Sequence, residues 1–172
     1  FGGSRGAEKI NDTILELADA VRMMPKAKLI HITGKPYYES FSRRLRERGI
    51  VADNRIHILP YTNSMHEYMF ASDLVICRSG AITTAEVTAC GKPAIFIPSP
   101  NVTANHQYFN AKAIADKGGA VLIEEKDLTP EKLKSVVMCL MNNREALNAM
   151  AKASATLGRT DGADAIYAEL GI

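Results

Sequence analysis

Three stretches of the sequence combine glycine with polar side chains in a way that suits a ligand carrying phosphates and hydroxyls. The first is GGSRGA at residues 2–7, where glycines let the backbone approach an anion and a helix start favours negative charge. Gly3, Ser4 and Arg5 are the candidate contacts, with the Ser4 hydroxyl as an added donor. A tight turn with Ser4 as the helix cap would use the same residues, so both interpretations stay open at this point.

The second stretch, CRSGAITTAE at residues 77–86, follows an apolar run and leads into a helical pattern. Ser79 and Gly80 form the turn and are candidate ligand contacts, and the helix is predicted to begin near Ala81. Two helix N-termini at one sheet edge would suit a ligand with two phosphates. Glu86 lies farther along the helix, where its carboxylate can accept hydrogen bonds from both hydroxyls of a ribose; a solvated carboxylate is the alternative.

The third stretch is IPSPNVTANHQYFNA at residues 97–111, a polar loop followed by a helix. His106 and Asn110 are four residues apart and share a helix face, with Gln107 beside them. An imidazole and carboxamides can recognise sugar hydroxyls, although helix capping and solvation also explain them. Lys35, which follows a strand in ITGK, is a weaker candidate for contact with an anion.

Several other kinds of chemistry are excluded. The sequence has no DxD pair, no cluster with metal-ligand spacing and no Ser-His-Asp or G-x-S-x-G arrangement, so we expect no metal and no cofactor. The glycine turn matches neither GxGxxG nor a Walker loop, so neither a nicotinamide dinucleotide nor ATP is indicated. Cys77, Cys90 and Cys139 are interpreted as free thiols, and His31 and His57, inside apolar strands, as core histidines.

Charge and hydropathy narrow the partners further. A formal net charge of +2 gives no reason to expect a nucleic acid. No stretch is long and apolar enough to cross a membrane, and no signal peptide is visible. The chain is therefore expected to be a soluble, cytoplasmic domain.

These stretches need a scaffold that brings strand ends together, and the rest of the sequence predicts one. Five short runs rich in Ile, Val and Leu alternate with helical patterns, which predicts an α/β fold: a Rossmann-like, doubly wound parallel sheet covered on both faces. Ligands bind such sheets beyond the carboxyl ends of the strands. A sixth strand is expected just ahead of residue 1, because FGG is typical of a strand end. The predicted strands are residues 28–33, 55–59, 73–77, 93–98 and 120–124.

Helical segments lie between these strands. Gly49 predicts a helix end, and Thr129 followed by Pro130 predicts a helix start. From about residue 142 we expect one or two helices, broken near LGRTDGA. The stripe of the first helix that is predicted to face the core consists of Ile10, Ile14, Leu17, Ala18 and Val21.

The segments GGSRGAEKIN, ITGK, ASDLVICRSGAITTAEVTACGKPAIFIPSP and NHQYFNA, in this order, closely resemble the C-terminal half of the MurG family of bacterial glycosyltransferases. The resemblance covers essentially the whole chain. It implies one half of a GT-B enzyme, which has two Rossmann-type domains with a cleft between them. Residues 1–172 would then be the C-terminal domain that binds UDP-GlcNAc, with the N-terminal acceptor domain outside this chain.

The resemblance also implies an activity. The family moves GlcNAc from UDP-GlcNAc to undecaprenyl-pyrophosphoryl-MurNAc-pentapeptide (lipid I), which gives lipid II for peptidoglycan synthesis and so for cell shape and division. It works peripherally at the cytoplasmic face of the bacterial plasma membrane, with membrane contact expected mainly through the N-terminal domain. The alternatives are a stand-alone donor-binding subunit of a two-component UDP-GlcNAc transferase, or a related UDP-sugar glycolipid synthase. The chain alone is expected to bind donor without transferring sugar.

Residue by residue, the resemblance implies a donor site. Ser4 would contact the diphosphate, Glu86 the ribose, and Thr62, through its backbone and with Tyr61 beside it, the uracil. The surrounding PYTNSM departs from the aromatic-Ile-Asp-Asp/Glu-Met pattern that is commoner in the family. The nucleotide and diphosphate would be lined by Ala81, Ile82 and Thr83, and the sugar by His106, Gln107 and Asn110.

The implied reaction inverts the sugar by direct attack of the acceptor hydroxyl and leaves added negative charge on UDP. Amides at two helix N-termini, with the hydroxyls of Ser4 and Thr83, would stabilise that charge where a metal would otherwise serve. The attack calls for a general base. His106 is a weak candidate, and the base is expected in the N-terminal domain instead.

Overall fold

The computed structural model describes residues 1–3 and 6–170, and it contains five short strands that pair only in parallel. Each strand lies within a predicted apolar run and is one to three residues shorter than that run. The strands are β1 (Leu29–Ile32), β2 (Ile56–Leu59), β3 (Val75–Cys77), β4 (Ala94–Phe96) and β5 (Ala120–Leu122).

Helices alternate with these strands, as the sequence predicts. The helix of residues 65–71 was not predicted, because two turns are too short to show a clear apolar period. The expected break in the C-terminal region lies between residues 155 and 162. The helices are α1 (Glu8–Arg22), α2 (Tyr38–Glu47), α3 (Met65–Ala71), α4 (Ala81–Ala89), α5 (His106–Ala115), α6 (Pro130–Met141), α7 (Arg144–Ala155) and α8 (Gly162–Leu170).

Local sequence signals explain how these helices start and which faces they bury. The Thr129 side chain accepts a hydrogen bond from the Lys132 N–H, and Pro130 occupies the first helical position, which confirms the predicted cap of α6. The whole predicted apolar stripe of α1 is buried. Helix α1 packs against α6, so its apolar stripe covers the sheet and a second helix at once. None of the described helices is long and apolar enough to span a membrane.

The five strands form two sheets, whereas the sequence predicts one. Strand β1 pairs with β2, and β3–β4–β5 form the second sheet. Between the sheets, β1 and β3 face a cavity of about 490 Å³ that both strands line. The Phe1 amino group lies at this boundary and donates to the Ile76 carbonyl at 2.7 Å. Among the described strands, β1 and β3 thus flank a cavity and do not pair with each other.

One hydrophobic core nevertheless joins the two sheets. Ile56 of β2 and Ile95 of β4 belong to the same buried cluster, together with the apolar face of α1 and Leu133 of α6. All described strands also run in the same direction within their sheets, so their carboxyl ends lead into loops and helix starts that can carry a ligand site.

Candidate functional site

The glycine turn ahead of α1 packs closely against the end of β1. Gly3 and Gly6 have φ of +83° and +75°, and the Gly6 N–H donates to the Gly3 carbonyl at 3.0 Å. A Cβ at Gly6 would overlap the Thr33 carbonyl oxygen, so only glycine allows this approach. The predicted contacts Ser4 and Arg5 lie outside the described residues.

A buried hydrogen-bond network holds α1 to the end of β1 beneath this turn. Asn11 Nδ2 donates to the Thr33 carbonyl at 3.1 Å, so Asn11 Oδ1 is the acceptor for His31 Nε2–H at 2.9 Å. Burial lowers the pKa of His31 well below 6.5, and the N-terminal ammonium adds to the shift. His31 is thus a neutral core histidine, as predicted. His57 is exposed and is not the core histidine that the sequence suggested.

The predicted cap residue Ser4 lies outside the described residues. The N-cap residue of α1 is Ala7, which has extended backbone angles and makes no side-chain cap bond. Helix α4 likewise starts without a side-chain cap, at Gly80. By contrast, the N-termini of α6 and α7 are capped by Thr129 and Asn143. Uncapped helix N-termini leave backbone N–H groups available to an anion.

The β3–α4 turn is buried at Ser79 and exposed where α4 begins. Ser79 is fully buried, whereas Ala81 and Ile82 are exposed and Thr83 is half-buried. Burial raises the pKa of the Cys77 thiol, at the end of β3, to about 12; the N-terminal ammonium opposes this rise and the negative charge of Glu86 adds to it. The Glu86 side chain is exposed on α4.

The start of α5 is set by two residues in the left-handed region. Ala104 and Asn105 have φ of 51° and 52°, a conformation that costs non-glycine residues about 1 kcal/mol or more each. His106 follows and is exposed; its Nδ1–H donates to the Thr103 carbonyl at 2.9 Å. The remaining ring nitrogen, Nε2, is then an acceptor.

Side-chain hydrogen bonds connect the second and third predicted stretches. Ser79 Oγ donates to the Gln107 carbonyl at 2.8 Å, and Asn110 Nδ2 donates to the Ser79 carbonyl at 3.1 Å. Gln107 Oε1 accepts from the Ser99 N–H at 2.9 Å. The hydroxyl of Ser79, the oxygen of Gln107 and the amino group of Asn110, all predicted to face a ligand, are therefore used within the protein. Within the described part of the chain, Gln107 Nε2 and Asn110 Oδ1 make no hydrogen bond.

Arg78 is the functional-site neighbour that sequence reasoning missed. Its Nη1 donates to the carbonyls of Ile97 and Pro98 at 3.1 and 3.0 Å, and its Nη2 pairs with the Glu125 carboxylate. Both side chains are largely buried, with 14% and 21% of their areas exposed. The signal was a charged residue directly after the buried strand that ends at Cys77.

The loops after β1 and β2 form a second, more open region. Lys35 Nζ lies 5.3 Å from the ring centroid of Tyr61, which is 46% exposed. Thr62 Oγ1 accepts from the Ser64 N–H at 3.0 Å, so this hydroxyl stabilises its own loop. The predicted uracil-contacting residues are thus near Lys35 but separate from the network around Ser79.

The large cavity is not the candidate site. It is lined mainly by apolar residues, most of them from β1, β3, α1, α3 and α6, and it contains none of the predicted ligand contacts. The described residues also contain no group of three or more His, Cys, Asp or Glu side chains that could hold a metal ion. The candidate site is therefore the open edge at the carboxyl ends of the strands.

The same segments are found in a known family. The model of the glycosyltransferase family 28 C-terminal domain matches residues 1–166. Relatives from Desulforamulus reducens and Acetivibrio thermocellus are 43% and 44% identical over 163 and 167 residues, which cover 94% and 97% of this chain. Both are named UDP-N-acetylglucosamine--N-acetylmuramyl-(pentapeptide) pyrophosphoryl-undecaprenol N-acetylglucosamine transferase. The matched region is 44% of each relative, so the chain spans about half their length.

A solved structure agrees with these sequence matches. The crystal structure of Acinetobacter baumannii MurG superposes with a TM-score of 0.83 at 30% identity, covering 96% of this chain and 46% of that one. The predicted α/β, Rossmann-like architecture and the resemblance inferred from the motifs are both confirmed.

Proposed function

The chain belongs to the glycosyltransferase family 28 C-terminal domain family, and from this premise we propose that it is the nucleotide-sugar-binding domain of an inverting glycosyltransferase. The proposed donor is UDP-GlcNAc. The proposed acceptor is the muramyl pentapeptide on pyrophosphoryl-undecaprenol for which the relatives are named. Residues 1–172 supply the donor side of the active site, and a separate domain supplies the acceptor side.

One geometric observation carries this proposal: the β3–α4 turn and the start of α5 meet at one edge, joined by the 2.8 Å hydrogen bond from Ser79 to Gln107. An uncapped helix N-terminus and a row of polar side chains therefore lie side by side. A ligand with a diphosphate at the first and a sugar at the second would contact both. UDP-GlcNAc has this arrangement of groups.

In this proposal the diphosphate binds the N-terminus of α4 through the N–H groups of Ala81, Ile82 and Thr83, with Ser4 and the glycine turn on its other side. Glu86 accepts hydrogen bonds from the ribose hydroxyls. Departure of the sugar leaves added negative charge on UDP, which the helix amides and the Thr83 hydroxyl stabilise.

The sugar binds the start of α5. Gln107 Nε2 donates to sugar hydroxyls, while His106 Nε2 and Asn110 Oδ1 accept from them. The uracil lies beside Tyr61 and contacts the backbone at Thr62. His106 acts as a sugar contact, and the general base is supplied by the acceptor domain.

The acceptor's undecaprenol chain is a lipid, so the complete enzyme would work at a membrane surface. We propose the cytoplasmic face of the bacterial plasma membrane, where the nucleotide-sugar donor is available, with the acceptor domain making most of the membrane contact. The two alternatives are a donor-binding subunit that works with a separate membrane protein, and a related UDP-sugar glycolipid synthase.

Calorimetric titration with UDP, UDP-GlcNAc and ADP tests the donor assignment. We expect saturable binding of both uridine ligands and at least tenfold weaker binding of ADP, because the base contacts are specific. Absence of saturable UDP binding at millimolar concentrations would contradict the proposal. Tight binding of a different UDP-sugar, with weak binding of UDP-GlcNAc, would favour the glycolipid synthase.

The Glu86→Ala variant tests the ribose contact. Loss of a charged hydrogen-bond acceptor is expected to weaken UDP binding by tenfold or more, about 1.5–3 kcal/mol. The Glu145→Ala variant is the matched control, because Glu145 is an exposed helical glutamate on α7. Unchanged UDP affinity in a folded Glu86→Ala variant would refute the assigned role.

A further inference from the structure

The loops after β3 and β4 and the start of α5 are connected by hydrogen bonds that close into a circuit through the Arg78–Ser79 and Pro98–Ser99 peptide bonds, which we call the edge ring. It consists of Arg78, Ser79, Ser99, Gln107 and Asn110, with Glu125 bound to Arg78 from outside the circuit. We propose that the edge ring is a positioning device that holds the start of α5 in register with the β3–α4 turn and so determines how well the site recognises the sugar of its donor. This inference rests on the proposed function.

Arg78 joins three strand ends. It follows β3, donates to two consecutive carbonyls after β4, and pairs with Glu125, which follows β5. A planar guanidinium can make these contacts together, whereas an ammonium group acts as a point charge. Because only 14% of the side chain is exposed and its donors point at these loops, Arg78 is a positioning residue and not a phosphate ligand.

Ser79 carries the connection from Arg78 to α5. Its side chain is fully buried, its hydroxyl donates to the Gln107 carbonyl, and its own carbonyl accepts from Asn110. The two bonds reach residues on successive turns of α5 and therefore fix both the distance and the rotation of this helix. A shift of α5 relative to the turn would leave buried polar groups of Ser79 unpaired, which is costly.

The Gln107 side chain closes the circuit. Its oxygen accepts from the Ser99 N–H, which is next to Pro98, one of the two carbonyl acceptors of Arg78. This bond orients the carboxamide so that Nε2 points away from the Ser99 N–H. The bond from Asn110 Nδ2 to Ser79 similarly fixes the orientation of Oδ1, which makes no hydrogen bond to another described residue. The edge ring thereby sets one donor and one acceptor on the face assigned to the sugar.

The segment between Ser99 and Gln107 explains why such a device is needed. It contains the two left-handed residues Ala104 and Asn105, whose strain is retained only when the surroundings hold it. Most of its residues are exposed, and the bonds made by Arg78, Ser79 and Ser99 close the loop at both ends. Without them, the loop and the first turn of α5 would relax together.

Arg78→Lys tests the inference, with dissociation constants for UDP and UDP-GlcNAc measured by calorimetry on the full chain. Lysine keeps the charge but cannot bridge two carbonyls and a carboxylate. We expect the dissociation constant of UDP-GlcNAc to rise about tenfold and that of UDP to change less than twofold. The ratio of the two constants is the readout, because general destabilisation of the chain would weaken both ligands alike.

Two further variants keep the test decisive. Glu125→Gln removes the charge at nearly constant shape and is expected to raise the same ratio about threefold, even if Arg78→Lys does not fold. Arg144→Lys is the matched control, because Arg144 forms an exposed ion pair with Asp73 at 3.0 Å; its ratio should stay unchanged.

The outcomes separate the inference from the proposed function. No binding of either uridine ligand to the unmodified chain overturns the proposed function itself. Normal binding with an unchanged ratio in Arg78→Lys and Glu125→Gln overturns the edge ring as a positioning device. Equal weakening of UDP and UDP-GlcNAc also overturns it, because Arg78 would then have no selective effect on recognition of the sugar.

Discussion

The two sides of the strand edge are held in different ways. After β3, β4 and β5, side chains bind the backbone of neighbouring loops, so that one loop cannot move without the others. After β1 and β2, the anchoring lies below the surface in Asn11, His31 and Thr33, and the loop tips are exposed. The side assigned to the sugar is thus pre-organised, whereas the side assigned to the uracil keeps freedom at its surface.

This difference indicates where substitutions will act. On the β1–β2 side, large effects are expected from buried groups beneath the loops and small effects from the loop tips. On the β3–β5 side, contacts at the edge itself should matter. The following substitutions probe the first half of this comparison, beginning with the largest expected effect.

Gly6→Ala is expected to destabilise the fold by about 3 kcal/mol or more. The new Cβ would overlap the Thr33 carbonyl, and the left-handed φ of +75° would add strain. Gly49→Ala is the matched control, because Gly49 has φ of +66° with open space around it and should cost only about 1–2 kcal/mol. Urea unfolding of both variants measures the difference in unfolding free energy. Equal losses of unfolding free energy would show that the close packing of Gly6 against Thr33 is unimportant.

Asn11→Ala is expected to cost about 2–3 kcal/mol, because it leaves His31 and the Thr33 carbonyl buried without their partner. The comparison is with Asn148→Ala on the exposed face of α7, which should stay within about 0.5 kcal/mol of the unmodified chain. Unfolding free energies from denaturant titration decide this prediction. A loss below 0.5 kcal/mol at Asn11 would mean that α1 is not anchored through this residue.

Stability should also depend on pH through His31. Its pKa in the folded chain is lowered by burial, so between that value and about 6.5 the unfolded chain binds the extra proton. The free energy of unfolding should therefore be insensitive to this group above pH 6.5 and fall by up to about 1.4 kcal/mol per unit as the pH decreases below it. The measurement is the difference between the unmodified chain and His31→Gln from pH 5 to 8; parallel profiles would contradict it.

Thr62→Ala is expected to have the smallest effect. The Thr62 hydroxyl accepts a hydrogen bond from the Ser64 N–H of its own loop, and the proposed uracil contact uses the backbone. We expect a loss of stability below about 1 kcal/mol and a change in UDP affinity below twofold. A tenfold loss of UDP affinity would show that this side is as closely pre-organised as the other.

Much of the scaffold could be predicted because its signals are local. The strands are runs of Ile, Val and Leu, and the cap of α6 is made by Thr129 itself. The division into two sheets could not be predicted, because strand composition does not reveal which edges pair. His57 has the same apolar neighbours as His31 in the sequence, yet His57 is exposed whereas His31 is buried and hydrogen-bonded to Asn11.

The candidate site shows the same limit. The polar residues at the strand ends were found from their types and spacing, and Ser79, Gln107 and Asn110 do lie together. The roles of their individual atoms could not be predicted, because the partners are backbone groups. Arg78 was missed for this reason. Its hydrogen-bond acceptors are the backbone carbonyls of Ile97 and Pro98, and because every residue has such a carbonyl, the sequence does not distinguish them.

The buried thiol at the end of β3 makes local opening of this edge measurable by thiol labelling. Cys77 is next to Arg78 and fully buried, so alkylating reagents reach it only when this edge opens. Because its pKa is raised to about 12, the closed state also contains almost no reactive thiolate. Cys139 on α6 is exposed and can be alkylated first, and Cys90, which is half-buried, is expected to react next. The labelling rate of Cys77 then reports how often the end of β3 opens in the absence of any ligand.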